Sequence, residues 1–252
     1  MEQIKPNNIY CGDSFELIKQ VETGSVQLIL QDPPYNITPC EWEWDIFTKI
    51  EDYWKEWIRI TKPGGVIVMT GTQPFTSRLI SSNYKMFHQE LIWEKNICTG
   101  FLNANLRHLK THENIIVFTK SKSIYNPQMT IGMKYSCSRG FGGQSITNDK
   151  SILNNGYTTI NEGTRYPTSI LKINTEREGL HPTQKPVALF EYLIKTYTDV
   201  SDCVFDGFAG SGTTAVACKR TNRDYICVEI DKNYVDIAKR RVVSVNKPLF
   251  VL

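Results

Sequence analysis

No stretch of this 252-residue chain approaches the roughly eighteen consecutive apolar residues that a membrane helix needs. The opening Met1-Glu2-Gln3-Ile4-Lys5-Pro6 lacks the apolar centre of a signal peptide, so a soluble, cytoplasmic protein without membrane contact is expected. The seven cysteines include no C-x-x-C pair, and no histidines cluster. That excludes a structural zinc or a disulfide framework, and reduced thiols with no metal site are expected. Charge of either sign is also in short excess. A net charge of +3 leaves contact with a polyanion to local patches. There is no G-x-x-x-x-G-K-S/T and no G-x-G-x-x-G, which disfavours a nucleoside triphosphatase and a nicotinamide enzyme. Internal repeats and low-complexity tracts are absent too.

What remains is a chain sized for one α/β domain, with 40% apolar residues to fill its core. The runs Val26 to Leu30, Val66 to Met69 and Ile115 to Phe118 are bounded by turn-forming and polar residues and read as interior strands. Between the first two, Ile46, Ile50, Tyr53, Trp54, Trp57 and Ile58 recur at helical spacing. Strand, helix, strand predicts a right-handed parallel crossover, and its repetition predicts a doubly wound, mostly parallel sheet of Rossmann-like type. The last third repeats the pattern. Pro186 opens a helix bearing Phe190, Leu193, Ile194 and Tyr197. Then follow a strand at Cys203 to Phe205, a helix from Thr213 to Arg220, a strand from Tyr225 to Ile230, and a final helix lined by Tyr234, Ile237, Ala238, Val242 and Val245.

The first strand ends abruptly in Asp32-Pro33-Pro34-Tyr35. Proline cannot continue a ladder, so the chain must leave the sheet there, and ligands of open α/β sheets bind at such strand tips. A carboxylate, a free proline carbonyl and an aromatic face are the means to grip an exocyclic amine. The bland alternative is a proline-rich turn closed by a packed tyrosine. Asp206-Gly207-Phe208-Ala209-Gly210-Ser211-Gly212-Thr213-Thr214 follows a strand and opens a helix, where glycines permit close backbone approach and free N–H groups receive a polar ligand. Glu229, 23 residues after Asp206 at the end of the next strand, is placed to offer a carboxylate to ribose hydroxyls. A nucleoside-bearing cofactor is the expectation. From Ser121 to Leu180 periodicity disappears. Seven Lys or Arg stand against four Asp or Glu between Lys134 and Lys185, interleaved with tyrosines, and a stretch of this length reads as either a functional insertion or a segment partly disordered when free.

Asp32 to Asn36, then His181-Pro182-Thr183-Gln184-Lys185-Pro186, then Asp206 to Thr214 together resemble the β-group DNA amino-methyltransferases, in which the catalytic motif precedes the cofactor motif. The resemblance spans nearly the whole length. It implies an enzyme that uses S-adenosylmethionine to methylate an exocyclic amine of double-stranded DNA at a specific site. Asp at position 32 favours adenine N6; cytosine N4 is the alternative, followed by an RNA or protein amine. It implies catalytic roles for Asp32, Pro33, Pro34 and Tyr35. It also implies cofactor binding by Asp13, Asp32, Thr183, Lys185, Asp206, Phe208, Gly210, Ser211, Gly212, Thr213 and Glu229, with Asp13 on the adenine and Thr183 and Lys185 over the methionine end. Outside the motif, Asp13 reads as a helix N-cap and Lys185 as a surface charge. Residues 1–252 are then one methyltransferase domain: a catalytic half at 1–120, a candidate target-recognition insertion at 121–180 and a cofactor half at 181–252. Trp42 and Trp44 read either as caps on the base pocket or as core packing. Gly207, where the family usually has proline, implies a looser loop. A homodimer and a partner restriction endonuclease stay open.

Overall fold

The computed structural model describes residues 4–35, 50–139, 157–176 and 184–245. Two compact units emerge: Met1–Asn126 with Ser169–Leu252, and Pro127–Thr168. In chain order the elements are β1 (Asn8–Cys11), α1 (Ser14–Ile18), β2 (Val26–Gln31), α2 (Ile50–Ile60), β3 (Thr61–Gly71), α3 (Phe75–Ser82), β4 (Phe87–Thr99), β5 (Lys110–Thr119), β6 (Thr130–Ile131), β7 (Tyr135–Arg139), β8 (Tyr157–Asn161), β9 (Thr164–Arg165), β10 (Ile170–Lys172), α4 (Val187–Tyr197), β11 (Cys203–Asp206), α5 (Thr213–Thr221), β12 (Asp224–Glu229) and α6 (Lys232–Ser244).

The first unit carries an eight-stranded sheet in the order β1-β12-β11-β2-β3-β5-β4-β10. All neighbours are parallel except that β5 runs against both β3 and β4. From β2 the chain crosses outward to β3, and from β11 it crosses outward on the other side to β12. Diverging crossovers open a crevice beyond the carboxyl ends of β2 and β11, the switch point at which such sheets bind ligands.

Alternation along the buried strands divides the core between the faces. Leu28 and Leu30 pack with Leu193, Ala215 and Val235 from α4, α5 and α6. Ile29 packs on the opposite face with Ile18, Trp57 and Leu79 from α1, α2 and α3. Strands covered on both faces are apolar throughout, which is why β2 and β3 stand out in the sequence. No helix among the described residues is long and apolar enough to cross a membrane, and no cluster of three or more His, Cys, Asp or Glu among them could hold a metal ion. Cys203, Cys218 and Cys227 are buried free thiols, and Cys11, Cys98 and Cys137 are exposed ones.

The third interior strand departs from the expected parallel repetition. β4, whose apolar run is only Leu91-Ile92-Trp93, pairs with β5 as a hairpin, and a hairpin must return antiparallel. Leu91 and Trp93 alone of its residues are buried, so its apolar signal is confined to three residues set between Glu90 and Glu94. The expected helix over Ile46 to Ile58 begins among the described residues at Ile50; Ile46, Trp42 and Trp44 lie outside them. In the 121–180 stretch, β10 joins the main sheet beside β4, leaving Pro127–Thr168 as the separate unit. Among its described residues that unit carries the antiparallel pairs β6 with β9 and β7 with β8, with the Arg165 guanidinium 4.7 Å from the Tyr135 ring centroid.

Gly212 occupies the N-cap of α5 at φ +83. A Cβ there would lie 2.5 Å from the Ala238 Cβ of α6, so the glycine supplies both a left-handed conformation and the contact between the two helices. Gly212→Ala should lower stability by about 2–4 kcal/mol, read as a lower denaturant midpoint at unchanged m-value.

Candidate active site

At the tip of β2 the Asp32 carboxylate is held from three elements. Its Oδ2 lies 2.6 Å from Lys185 Nζ, while Oδ1 accepts from the hydroxyls of Tyr35 and of Thr70 on β3. The Tyr35 hydroxyl also lies 2.9 Å from Thr70 Oγ1. Lys185, only 6% exposed, reaches Glu113 Oε2 of β5 at 3.4 Å, and Glu113 Oε1 accepts from Lys95 Nζ of β4 at 2.5 Å. Two carboxylates and two ammonium groups thus alternate in one buried row. Burial alone would depress the Lys185 ammonium, but Asp32 and Glu113 outweigh it and raise its pKa. Burial would likewise raise Glu113, yet Lys185 and Lys95 hold its carboxyl below the ordinary value. Tyr35 stacks on Phe75 with ring centroids 5.3 Å apart, and burial beside Asp32 keeps its phenol protonated.

The second half of the crevice is built by β11, β12 and the loop between Asp206 and α5. Asp206, 2% exposed, accepts from Phe208 N at 2.9 Å and from the Thr214 hydroxyl. Burial pushes its carboxyl up to about 7 against those hydrogen bonds, and the nearby charges of Asp32 and Glu229 add to the rise. Glu229 accepts from Gly210 N at 2.7 Å and Asp231 N at 2.9 Å, and burial raises its carboxyl also. Ser211 is held by Arg241, which donates to its carbonyl at 2.9 Å. The Thr213 hydroxyl donates to the Lys185 carbonyl at 3.4 Å, tying the glycine-bearing loop to the segment that carries the lysine.

Asp13 does cap α1, accepting from Glu16 N at 3.0 Å. The register pairs Cys11 with Glu229, so Asp13 also stands at the strand tip beside that carboxylate. The surface-charge reading of Lys185 fails, since the ammonium is buried. Thr183, with His181 and Pro182, lies outside the described residues. Gly207 does not loosen the loop: a Cβ would sit 2.2 Å from Ser14 Oγ and 3.2 Å from Gln31 Nε2, so glycine is what lets the loop close over β2. Sequence reasoning missed Thr70, Lys95 and Glu113. Thr70 and Glu113 flank apolar strand cores as apparent boundary residues, and a polar residue at a strand's active-site end was the signal to follow.

The profile of the N6/N4 DNA methylases matches residues 26–240. This chain belongs to that family. The enzyme is 29% identical over 251 residues to the type II methyltransferase M.HpaI of Haemophilus parainfluenzae, covering 94% of this chain and 74% of that relative. It is 30% identical over 258 residues to M.BglII from Bacillus subtilis, covering 92% and 68% respectively. The crystal structure of the M1.HpyAVI–SAM complex superposes with a TM-score of 0.61 at 25% identity, covering 93% of this chain and 98% of that one. The order of the motifs and the mostly parallel α/β sheet are therefore those of a DNA methyltransferase.

Two predictions follow from the charges. Asp206 titrates near 7 when folded but near 4 when unfolded. The folded state binds this proton more tightly, so the associated stability is complete below pH ~4 and is lost as pH rises through about 7, by on the order of a few kcal/mol. Thermal melts of the ligand-free enzyme should fall more between pH 6 and 8 than those of Asp206→Asn, which keeps the acceptor without the charge. Glu113→Gln should destabilise by about 3–5 kcal/mol, because Lys95 and Lys185 lose a shared buried counter-charge; denaturant unfolding checks it.

Proposed function

We infer that this methylase transfers the methyl group of S-adenosylmethionine to the N6 amine of an adenine flipped out of duplex DNA. The observation that carries this reading is the adjacency of two strand tips. Parallel pairing of Val204 with Leu28 and Phe205 with Ile29 sets the amine-gripping Asp32 beside the loop that starts at Asp206.

The residues present fit the cofactor. Asp206 and Glu229 are carboxylates raised by burial, short of the positive charge and hydroxyl donors that an amino-acid ammonium and a ribose supply. The fully buried Gln31 amide has neither nitrogen nor oxygen hydrogen-bonded among the described residues. When bound, S-adenosylmethionine supplies a methyl group on a sulfonium, already activated for in-line displacement. Asp206, Phe208, Gly210, Ser211, Gly212, Thr213 and Glu229 would hold it, with Asp13 toward the adenine and Thr183 and Lys185 toward the methionine end.

The protein's own contribution is position and charge. The ammonium of Lys185 holds Asp32 as a hydrogen-bond acceptor. A carboxylate offers about four lone-pair sites; Tyr35, Thr70 and Lys185 take three, leaving one for a base N–H. The second N–H goes to the Pro33 carbonyl at the bend into Pro34, which favours the pyramidal, nucleophilic amine. Tyr35, backed by Phe75, stacks on the base and offsets part of the few kcal/mol of extrusion. Aspartate rather than serine at position 32 supports adenine over cytosine. A homodimer and a companion restriction endonuclease are consistent with this reading and carry no step of it.

Asp32→Ala should reduce methyl transfer to duplex DNA by at least about 10²-fold even at saturating S-adenosylmethionine. Digesting the modified DNA to nucleosides should yield N6-methyladenine. N4-methylcytosine as the sole product would overturn the adenine assignment.

A further inference from the structure

The β4–β5 hairpin runs on past β3 at the active-site end, with β10 alongside β4 as far as Glu94. β3 finishes at Gly71, opposite Asn114. Beyond it, β4 and β5 stay paired through Trp93 with Glu113 and Glu94 with His112 to Thr99 with Lys110. Past Glu94 and His112 the ribbon is two-stranded, roughly 7 Å as far as Lys110 at the rise of a strand, and it ends in the turns of residues 100–107. A two-stranded ribbon of this kind is one of the forms that a DNA groove admits.

Its tip is built rather than loose. Gly100 turns the chain at φ +91, and Asn103 N to Gly100 O at 3.0 Å, Ala104 N to Phe101 O at 3.1 Å and Arg107 N to Asn103 O at 3.0 Å close successive turns. This frame faces large apolar side chains to solvent: Phe101 is 66% exposed, Leu102 101% and Leu106 84%. A core would have buried them. From Lys95 to His112 there is no Asp or Glu, while Arg107, His108 and Lys110 follow the apolar tip directly. Burial lowers the Lys110 ammonium, Glu113 opposes this, and Lys95 and Arg107 lower it further, as expected where cations are crowded together.

We propose that this hairpin is the wedge that enters the duplex at the target base, Phe101 and Leu102 filling the stack that the flipped base vacates while Arg107 and Lys110 meet flanking phosphates. The vacated space is an apolar slot between two base faces bordered by negative charge, and apolar wedges with basic neighbours suit such a slot. The tip and Asp32 share one end of the sheet. The inference rests on the reading of Asp32 as the grip on a flipped base.

The test uses two oligonucleotide duplexes carrying this enzyme's methylation site, read beforehand by methylated-base sequencing of DNA from expressing cells. One is fully paired; the other has an abasic position opposite the target base, so that little needs to be displaced. Phe101→Ala/Leu102→Ala should slow single-turnover methylation of the paired duplex by about 10-fold or more and the abasic one by under about 3-fold, with cofactor affinity unchanged. Equal loss on both duplexes, or no loss on either, overturns the wedge. Arg107→Gln/Lys110→Gln should flatten the dependence of log K on log salt by about 2; an unchanged slope removes the phosphate contacts. Sedimentation in which the apolar variant loses a dimer but keeps its methylation rate would assign the tip to a second copy of this chain and overturn the proposal. A wild-type enzyme that methylates neither duplex defeats the functional reading itself.

Discussion

Lys185 stands between Asp32 and Glu113, and the active end of the molecule is organised around that one buried ammonium. It joins the segment before α4 to the tips of β2 and β5, at 2.6 Å and 3.4 Å. Buried ions recover their hydration only when they are paired and hydrogen-bonded. Here Lys95 completes the row, so charge is balanced over β4, β5, β2 and the approach to α4. The same arrangement holds Asp32 as an acceptor and leaves its geometry defined by Tyr35 and Thr70. Stability and the proposed chemistry therefore draw on the same contacts.

The side of the crevice proposed for the cofactor follows a complementary logic. Asp206 and Glu229 spend hydrogen bonds on their own loop, from Phe208, Thr214, Gly210 and Asp231, yet both stay above their ordinary pKa through burial. A loop that is ordered but electrostatically unsatisfied is prepared for a ligand that brings positive charge and donors. The glycines serve close packing as much as conformation: Gly207 admits Ser14 and Gln31, and Gly212 admits Ala238. What reads in the sequence as looseness is tight contact.

Much of this was legible in the residues. β2, β11, β12, α4 and α5 announce themselves because strands covered on both faces need unbroken apolar runs and their helices need one apolar stripe. Asp32, Asp206 and Glu229 stand out in the sequence because each closes such a run. β4 was not legible: lying near the sheet's edge, it buries Leu91 and Trp93 among charged residues. Without β4 nothing in the sequence foretold that β5 would be reversed. Thr70, Lys95 and Glu113 were missed for a related reason, since their partners are 38, 18 and 72 positions away in Asp32, Glu113 and Lys185.

The sequence by itself determined the class of fold, the order of the catalytic and cofactor motifs, and the chemistry those motifs can perform, because periodicity, strand-ending residues and glycine spacing are local properties. Tertiary structure alone decided which charges share the crevice, that Lys185 is buried against Asp32 rather than exposed, that Gly207 is required by packing, and that a basic, apolar-tipped ribbon projects at the same end as Asp32. Those facts depend on strand register and burial, which bring together residues far apart in the chain and set the dielectric in which their charges meet.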